Sequence, residues 1–472
     1  MGQPWLDGRR RTVALVNLAA VMERLDEQTL PSLYSAVGAS FQSSPTQLGY
    51  LTLCRALVQA LASPWGGIAG HLHNRIWVIT AGCLLWGVMT AGFATSTALW
   101  QGLFFWGVNG AGLALVIPSG QSLIADLHTP LQRGKAFGLL YLTSAGGGML
   151  GSLFATNMGG VQLWGIEGWR IAFLMVALVS IVVGLLNSTL GVDPVKPQQR
   201  EKLHLRGLLR QMGSFMRLPT FGIIVIQGIM GSVPWSALVY LTLYFQLLGM
   251  SNLQASILNS LFLAANALGA LLGGFLGDRA ASKYPQHGRI LVCQFSVAVG
   301  IPFSLLLFKA LPFSASGASV SLYALVLVTC GLLKCWAAPA CNNPIFAEIV
   351  PPHMRNLVYA FDRCFEGALA ALAVPFVGML AEHSFGFKGK ATVTGDPSID
   401  LPKAQALGTS LLVFTLVPWT LCLILYSGLH YTYKRDCHSG STGEAENLHS
   451  TRGDDLGHVP ELQRLRTESR DR

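Results

Sequence analysis

Long apolar segments recur along almost the whole chain, and they limit its possible folds more than any other feature. A helix needs about 20 apolar residues to cross a bilayer, and twelve stretches of this kind are present. They lie at roughly 11–31, 47–68, 76–96, 98–123, 136–158, 169–190, 219–247, 254–277, 289–309, 319–343, 357–382 and 406–431. Only 12% of the residues are charged, about half the share that is usual in soluble domains. The sequence therefore excludes a soluble enzyme and a single-pass protein, and it predicts a polytopic membrane protein.

A basic break separates the first six apolar segments from the last six. Between residues 192 and 217 there are six Lys or Arg residues against two acidic ones. The predicted parts are a cytosolic N-terminal segment, a six-helix bundle, a basic cytosolic linker, a second six-helix bundle and a disordered cytosolic tail. In that order they cover residues 1–10, 11–191, 192–217, 218–433 and 434–472. The tail is predicted to be disordered because it mixes both charge signs and lacks an apolar period.

The distribution of basic residues predicts the orientation of the chain. Lys and Arg concentrate in the loops on the same side as the N-terminus, around 9–11, 75, 133–135, 192–217, 279–289, 355 and 434–435. Cytosolic loops carry such an excess, so both termini are predicted to be cytosolic, in a membrane that the sequence does not specify. The net charge of +9 is therefore interpreted as a topology signal and not as a nucleic-acid-binding surface.

Two loop motifs occur once in each half of the chain. The segment 66–75, GGIAGHLHNR, resembles 273–279, GGFLGDR, which reaches its second basic residue at Arg289. The segments 126–133, DLHTPLQR, and 348–355, EIVPPHMR, share an acid, six intervening residues, an Arg and a Pro three places before that Arg. Two copies of one six-helix unit explain these matches better than chance.

These loops resemble the cytosolic signature loops of the major facilitator superfamily, and the resemblance covers about residues 11–431. It implies an all-α membrane protein with the major facilitator fold, in which 12 transmembrane helices form two pseudo-symmetric six-helix bundles and work by alternating access. It also implies a cytosolic gate of charged residues, formed by His71, Arg75, Asp126, Arg133, Asp278, Arg279, Glu348 and Arg355. The expected pairing joins Asp278 and Arg279 to Glu348 and Arg355, and Asp126 to Arg133.

The first loop departs from the superfamily pattern. His71 and Leu72 stand where that loop usually has Asp and Arg. A neutral His gives a weaker latch than an acid, so the gate is expected to depend mainly on the second half.

Three shorter segments are similar to spinster-like members of the superfamily. They are Glu23-Arg24 in the first apolar segment, 227–236 in the seventh and 360–367 in the eleventh. This similarity implies an amphiphilic substrate such as a sphingosine phosphate or a lysophospholipid, often with proton coupling. The fourth segment departs from the pattern, because Trp106 replaces the usual Arg and Leu113 replaces an acid. Coupling is therefore expected to run through segments one, two and eleven, or else the protein is a facilitator.

Charged residues inside the apolar segments are the candidate functional residues, because a charge in hydrocarbon costs about 2.5 kcal/mol or more. The first segment contains Glu23, Arg24, Asp26 and Glu27, and the helical period places its three carboxylates on one face. Arg55 lies at a comparable depth, which predicts a buried ion pair with one of these acids. At least one carboxylate would then remain available to take up and release a proton. The alternative is a purely structural neutralisation, above all for Asp26 and Glu27, which are expected to lie nearer the surface.

The eleventh segment repeats this arrangement with Asp362, Arg363 and Glu366, whose two acids are four residues apart. Glu366 is the preferred substrate or proton site of the second half, whereas Asp362 could belong either to the cavity or to the cytosolic gate. Lys334 in the tenth segment is expected to balance Glu366 or to accept a phosphate headgroup.

No segment contains a nucleotide-binding loop or a metalloprotease or hydrolase motif, so the sequence predicts neither an enzyme nor a cofactor or metal site. It predicts a secondary carrier for a small organic, amphiphilic and lipid-like substrate, and it leaves proton coupling open. Its partners would be that substrate, protons and membrane lipids, with no nucleic acid and with a monomeric state. The alternatives are a facilitator of a hydrophilic organic anion and a non-transporting membrane sensor on the same fold.

Overall fold

The computed structural model describes residues 4–194, 217–311, 317–349 and 355–455, which are mostly helical. Within these ranges, ten helical stretches are long and apolar enough to cross a membrane, judged by length and composition. The helices before residue 195 form what we call the first half, and those after residue 216 form the second half.

The described part of the first half contains six long helices, one short helix and a small hairpin. They are α1 (Pro4–Ser32), α2 (Tyr34–Ser40), α3 (Pro45–Leu72), α4 (Arg75–Thr95), α5 (Leu99–Leu127), α6 (Pro130–Met158), β1 (Gln162–Leu163), β2 (Ile166–Glu167) and α7 (Gly168–Leu190). Local sequence sets several of the helix starts. At α3, the Ser44 hydroxyl accepts from the backbone N of Gln47, and the Gln47 side chain accepts from the backbone N of Ser44. This capping box satisfies backbone donors that a helix start otherwise leaves unpaired.

The helices of the second half are interrupted more often. They are α8 (Pro219–Ala237), a 3₁₀ turn (Leu238–Tyr240), α9 (Leu241–Leu247), α10 (Asn252–Lys283), α11 (Gly288–Leu305), a π-turn (Leu306–Ala310), α12 (Gly317–Lys334), a second π-turn (Ala338–Asn342), α13 (Asn343–Ile349), α14 (Arg355–Ala371), α15 (Ala373–His383) and α16 (Pro397–Asp455). Pro234, Pro302 and Pro339 lie at or just before three of these interruptions. Proline lacks the N–H that would continue the helical ladder, which explains their location.

Helices occupy nearly all of the predicted apolar segments, and this set is consistent with twelve crossings. The helix α16 extends to Asp455 and so includes residues 434–455 of the segment that was predicted as the cytosolic tail. Most of the predicted linker, 195–216, and the end of the tail, 456–472, lie outside the described residues.

The outer surface carries many large apolar side chains. Leu178, Phe275, Leu325 and Ile424, on four different helices, are all largely exposed. Soluble monomers rarely expose apolar surface on this scale, whereas lipid tails can cover it. The surface therefore suits a bilayer.

The apolar core differs between the two ends of the molecule. One end carries residues 384–396, which we call the strap, and the opposite end, where residues 194 and 217 lie, is the linker end. At the strap end a single buried cluster contains residues of both halves, and the rings of Tyr34 and Tyr240 meet there at 5.2 Å. Toward the linker end there are two separate clusters, each formed by one half. Of these three clusters, only the one at the strap end contains residues of both halves.

Candidate substrate cavity and charge networks

Asp26 and Arg55 form a buried ion pair inside the first half. Nη2 of Arg55 is 3.1 Å from Oδ2 of Asp26, and the two residues are 8% and 0% exposed, respectively. Because α1 carries the acid and α3 the cation, the pair joins two helices. The predicted ion pair between Arg55 and an acid of the first segment is confirmed, and the acid is Asp26.

Polar groups from two further helices complete the surroundings of this pair. Nε of Arg55 donates to Oδ1 of Asn109 at 3.0 Å, and Nδ2 of Asn109 donates to Oγ1 of Thr90 at 2.9 Å. The Thr90 hydroxyl lies 3.5 Å from Oδ1 of Asp26, and the Arg55 guanidinium lies 4.8 Å from the centre of the Trp106 ring. Buried charges are tolerated when they are paired and hydrogen-bonded in this way. The arrangement holds α1, α3, α4 and α5 together.

The sequence analysis did not identify Asn109 or Thr90. The available signal was Asn109, a polar residue between Gly107 and Gly110 in an otherwise apolar helix. Gly110 also explains why the helices meet so closely, because a Cβ there would stand 2.4 Å from the backbone oxygen of Arg55.

The three carboxylates of α1 lie in different environments. Asp26 is fully buried, whereas the Glu27 side chain is 40% exposed. Asp26 is thus enclosed more completely than Glu23, whose side chain is 13% exposed. The acids spread over about 100° around the helix axis, which is enough to turn Asp26 into the bundle and Glu27 away from it.

Glu23 and Glu27 instead share Arg24. Nη1 of Arg24 donates to Oε2 of Glu27, and Nε of Arg24 is 3.7 Å from Oε2 of Glu23. The group contains two acids and one cation, so it has one more negative than positive charge when all three are ionised.

A cavity of about 90 Å³ lies beside Glu23 and Arg24. The rest of its wall is mainly apolar, with three polar side chains. It consists of Val16, Ala19, Ala20, Ile79, Val116, Ile117, Gly120, Gln121, Leu140, Tyr141 and Ser144. Pockets of this composition bind ligands that combine a polar group with an apolar body.

In the second half, Lys334 is a buried cation held between two tryptophan rings. Its Nζ is 4.5 Å from the centre of the Trp419 ring and 5.8 Å from that of Trp235, and the residue is 3% exposed. Among the described residues, no carboxylate lies within ion-pair distance of Lys334. The expected pairing with Glu366 is therefore not formed, since aromatic faces occupy the surroundings of the ammonium group.

Asp362 and Glu366 are both buried on α14. The Glu366 carboxylate lies against the backbone of α8, because a Cβ on Gly228 would collide with its Oε1. The side chain of Arg363, the third predicted member of this group, lies outside those that the structure describes.

Arg75 is the centre of a charge cluster at the linker end of the first half. Its Nη1 is 2.6 Å from Oδ2 of Asp126, and its Nη2 is 2.6 Å from Oδ1 of Asp193. Arg75 is almost fully buried. A weak first-half cluster was expected from His71, in the last turn of α3, but Asp193 supplies a second acid that the prediction did not include.

Arg289 has the corresponding position in the second half. Its Nη1 is 2.9 Å from Oδ1 of Asp278, its Nε is 3.8 Å from Oε1 of Glu348, and Tyr433 donates to the other Glu348 oxygen. Arg279, which was expected in these pairs, is exposed and forms no ion pair among the described residues. The side chains of Arg133 and Arg355 lie outside those described.

Direct hydrogen bonds join the two halves at the strap end. One oxygen of the Glu382 carboxylate accepts from N and Oγ1 of Thr46 at 2.8 and 2.7 Å. The Tyr240 hydroxyl donates to the backbone oxygen of Pro45 at 2.6 Å. In the strap, N of Ala391 donates to the backbone oxygen of Ser43 at 2.9 Å. These contacts close the strap end.

Comparison with known proteins places this architecture in a family. The model of the Major Facilitator Superfamily matches residues 16–375. Human protein spinster homolog 1 is 23% identical over 394 residues, which cover 79% of this chain and 72% of that protein. A probable actinorhodin transporter from Streptomyces coelicolor is 27% identical over 205 residues, which cover 42% of this chain and only 34% of that protein.

The likeness extends to three-dimensional structure. A bacterial homolog of the human lysosomal transporter Spinster, in an inward-facing and unoccupied conformation, has a TM-score of 0.77 with 19% identity. The superposition covers 92% of this chain and 99% of that one. The family model spans most of the sequence, and the fold agrees with it. The chain therefore belongs to the Major Facilitator Superfamily, as a membrane transporter that resembles the spinster proteins.

Proposed function

We propose that the protein is a secondary carrier that moves a small amphiphilic, lipid-like molecule across its membrane by alternating access. The cavity beside Glu23 and Arg24 is the observation that carries this proposal, since it combines an ion pair with a mainly apolar wall. An amphiphile can place its apolar part against that wall and its polar group against the ions.

The uneven packing of the two ends supports alternating access. At the strap end the halves share one core and several hydrogen bonds, whereas toward the linker end each half has its own core. Each half can therefore move as one body, and the strap-end contacts must break before the cavity opens on that side. With both termini in the cytosol, as the basic loops indicate, this conformation is the inward-facing one.

Proton coupling is proposed to use the Glu23–Arg24–Glu27 group. Because one cation serves two carboxylates, one proton would neutralise the group as a whole. Glu23 lies on the cavity wall, so its protonation and the binding of a substrate headgroup would compete for the same space and charge. Lys334 is proposed as the cation of the second half that accepts an anionic headgroup, and its lack of a carboxylate partner among the described residues supports this.

The test is uptake of a labelled lysophospholipid into proteoliposomes, with and without an imposed pH gradient. The parent chain is compared with Glu23→Gln, and Asp396→Asn serves as control. Asp396 is a carboxylate in an exposed loop that accepts from Ser398, and Asn retains that capping ability.

We expect flux that rises with the gradient in the parent and in the control, and that no longer responds to the gradient in Glu23→Gln. If uptake by the parent is the same with and without the pH gradient, proton coupling is rejected and the protein is a facilitator. If correctly folded protein gives no flux, the lipid-like substrate is rejected, and hydrophilic organic anions are tested in the same assay.

A further inference from the structure

Two histidines face each other at the linker end of the second half. His287 lies in the turn between α10 and α11, and His430 lies on α16. Their Nδ1 atoms are 2.8 Å apart, and the ring centres are separated by 4.9 Å. His287 is exposed and His430 is partly exposed, so solutes can reach the pair. Neither residue belongs to the cavity or to the charge clusters described above.

The second ring nitrogen of His430 contacts a side chain of α11. Its Nε2 lies 3.2 Å from Oε1 of Gln294, an oxygen that can only accept. The amide nitrogen of Gln294 in turn donates to the Ser427 hydroxyl at 3.0 Å. With Gln294 in this orientation, neutral His430 carries its proton on Nε2 and presents a lone pair on Nδ1, toward His287.

We propose that His287 and His430 bind a divalent transition-metal ion of the Zn²⁺ type through their Nδ1 atoms. Imidazole nitrogen suits Zn²⁺, Cu²⁺ and Ni²⁺, whereas Mg²⁺ and Ca²⁺ prefer oxygen. A metal-bound histidine usually donates its other N–H to an acceptor that sets the ring orientation, and Gln294 has that position for His430.

The spacing fits after a small adjustment. With Zn–N bonds of about 2.0–2.1 Å and tetrahedral angles, two ligand nitrogens stand about 3.3 Å apart. The pair would therefore open by about 0.5 Å, which the turn that carries His287 can provide. Within the described ranges no group of three or more His, Cys, Asp or Glu could hold a metal. Water would fill the remaining positions, and the ion would bind reversibly.

The ion would also connect two elements. It would tie α16 to the turn that precedes Arg289, the residue that holds Asp278 and Glu348. A bound ion is thus expected to stabilise the linker end of the second half. The proposal does not depend on the identity of the transported molecule.

The experiment measures Zn²⁺ binding to the purified full chain in detergent, after treatment with a chelator and at pH 7.5. Competition with a chromophoric chelator gives the number of ions bound, and the shift of the thermal unfolding midpoint reports binding to the folded state. The chain contains 11 His and 9 Cys, and other residues among these can also bind Zn²⁺. The binding at the His287–His430 pair is therefore measured as the difference in bound Zn²⁺ between the parent and each site variant. His430→Gln and His287→Gln remove the site in two independent ways. His383→Gln, at an exposed histidine on α15, is the matched control.

We expect the parent and His383→Gln to bind one Zn²⁺ per chain more than either site variant, with a corresponding rise in the unfolding midpoint. Gln294→Leu should weaken the binding by about 10-fold or more, as outer-shell changes do. Mg²⁺ should give no shift. Equal Zn²⁺ binding in the parent and in both site variants would overturn the proposal and leave the pair as a shared-proton contact.

Discussion

At the scale of single residues, Arg55 connects more of the first half than its one ion pair suggests. Its guanidinium reaches Asp26 on α1 and Asn109 on α5, and Asn109 continues to Thr90 on α4. Each donor in this chain has an acceptor from a different helix. A change at Arg55 therefore affects the relative positions of four helices and not only one charge.

We predict that Arg55→Met lowers the free energy of unfolding by about 3–5 kcal/mol, because it leaves Asp26 buried without a counter-ion. Combining it with Asp26→Leu should recover much of this loss, since the uncompensated charge is then removed. Denaturant unfolding in detergent measures both effects. Arg279→Met, at an exposed cation without an ion pair among the described residues, is the control and should change stability little. Equal losses at Arg55 and Arg279 would contradict a structural role for the buried pair.

Gly228 and Gly222 offer a second matched comparison, within helix α8. A Cβ on Gly228 would collide with the Glu366 carboxylate, whereas a Cβ on Gly222 meets nothing within 4 Å. Ala is favoured over Gly in a helix by about 0.5–1 kcal/mol, so Gly222→Ala should raise the unfolding midpoint slightly. Gly228→Ala should lower it, because Glu366 or the helix must move.

The cause of the Gly228→Ala effect is tested in a Glu366→Ala background. There the collision is absent, and the cost of Gly228→Ala should largely disappear, which a double-mutant cycle measures. A cost that persists in that background would show that the backbone of α8, and not the carboxylate, opposes the substitution.

Some of these residues could be predicted from the sequence, and others could not. Asp26 and Arg55 were identified because charges in apolar segments are rare and need partners. Thr90 gave no such signal, since a threonine in a helix commonly bonds its own backbone, as it also does here with Trp86. Asp278 pairs with Arg289 and not with its neighbour Arg279, because the turn between α10 and α11 places Arg289 beside the Asp278 carboxylate. The sequence does not show the path of that turn.

At the scale of elements, the helices follow directly from apolar segments long enough to cross a bilayer. Their interruptions do not, because the sequence is equally apolar on both sides of a 3₁₀ turn or a π-turn. Pro234 and Pro302 were visible signals for two of them. The strap was not foreseen, since it reaches the first half through its own backbone, with N of Ala391 donating to the backbone oxygen of Ser43 and N of Val393 donating to the Ser35 hydroxyl.

The start of α3 is the element on which the strap-end closure depends. Glu382, from the second half, accepts from N and Oγ1 of Thr46 and places a negative charge near the N-terminus of α3, where it is favourable. Hydrogen bonds to charged groups contribute about 1.5–3 kcal/mol. Glu382→Ala should therefore shift the equilibrium toward a strap-open conformation by about 10-fold or more.

Alkylation of a cysteine placed at the buried position Ser43 measures this shift in a background without the native cysteines. The labelling rate should rise about 10-fold in Glu382→Ala. Lys388→Ala, on the exposed part of the strap, is the control and should leave the rate unchanged. An unchanged rate in Glu382→Ala would mean that the apolar core alone keeps this end closed.

At the scale of the whole molecule, the buried contacts fall into two sets: those within one half and those between the two halves. The Asp26–Arg55 pair and the clusters at Arg75 and Arg289 each lie within one half. The strap-end bonds and the common core connect the halves. A rocking motion can preserve the first set entirely, but it must change the second set together with the hydrogen bonds between α6 and α10 and between α3 and α14. This division is what alternating access requires of a two-bundle carrier.

A reversible cross-link at the strap end tests this division directly. An ideal Cβ on Gly38 stands 3.3 Å from Cβ of Ala391, close to the spacing of about 3.5–4.5 Å that a disulfide needs. Gly38→Cys with Ala391→Cys, in a background without the native cysteines, should form a bond between α2 and the strap after mild oxidation. The backbone oxygen of Ala391 lies 2.8 Å from the same Cβ, so a small shift of the strap accompanies the bond.

Oxidation of this double variant should abolish uptake into proteoliposomes, because a closed strap end prevents half of the transport cycle, and a reductant should restore it. Each single cysteine variant is a control and should be insensitive to both reagents. Ligand binding from the linker end should survive oxidation, since the cavity at Glu23 and Arg24 lies within the first half. Uptake that continues while the bond is shown to be intact would reject rocking of the two halves as the transport step. Retained binding with no uptake even in the reduced protein would favour a sensor on the same fold.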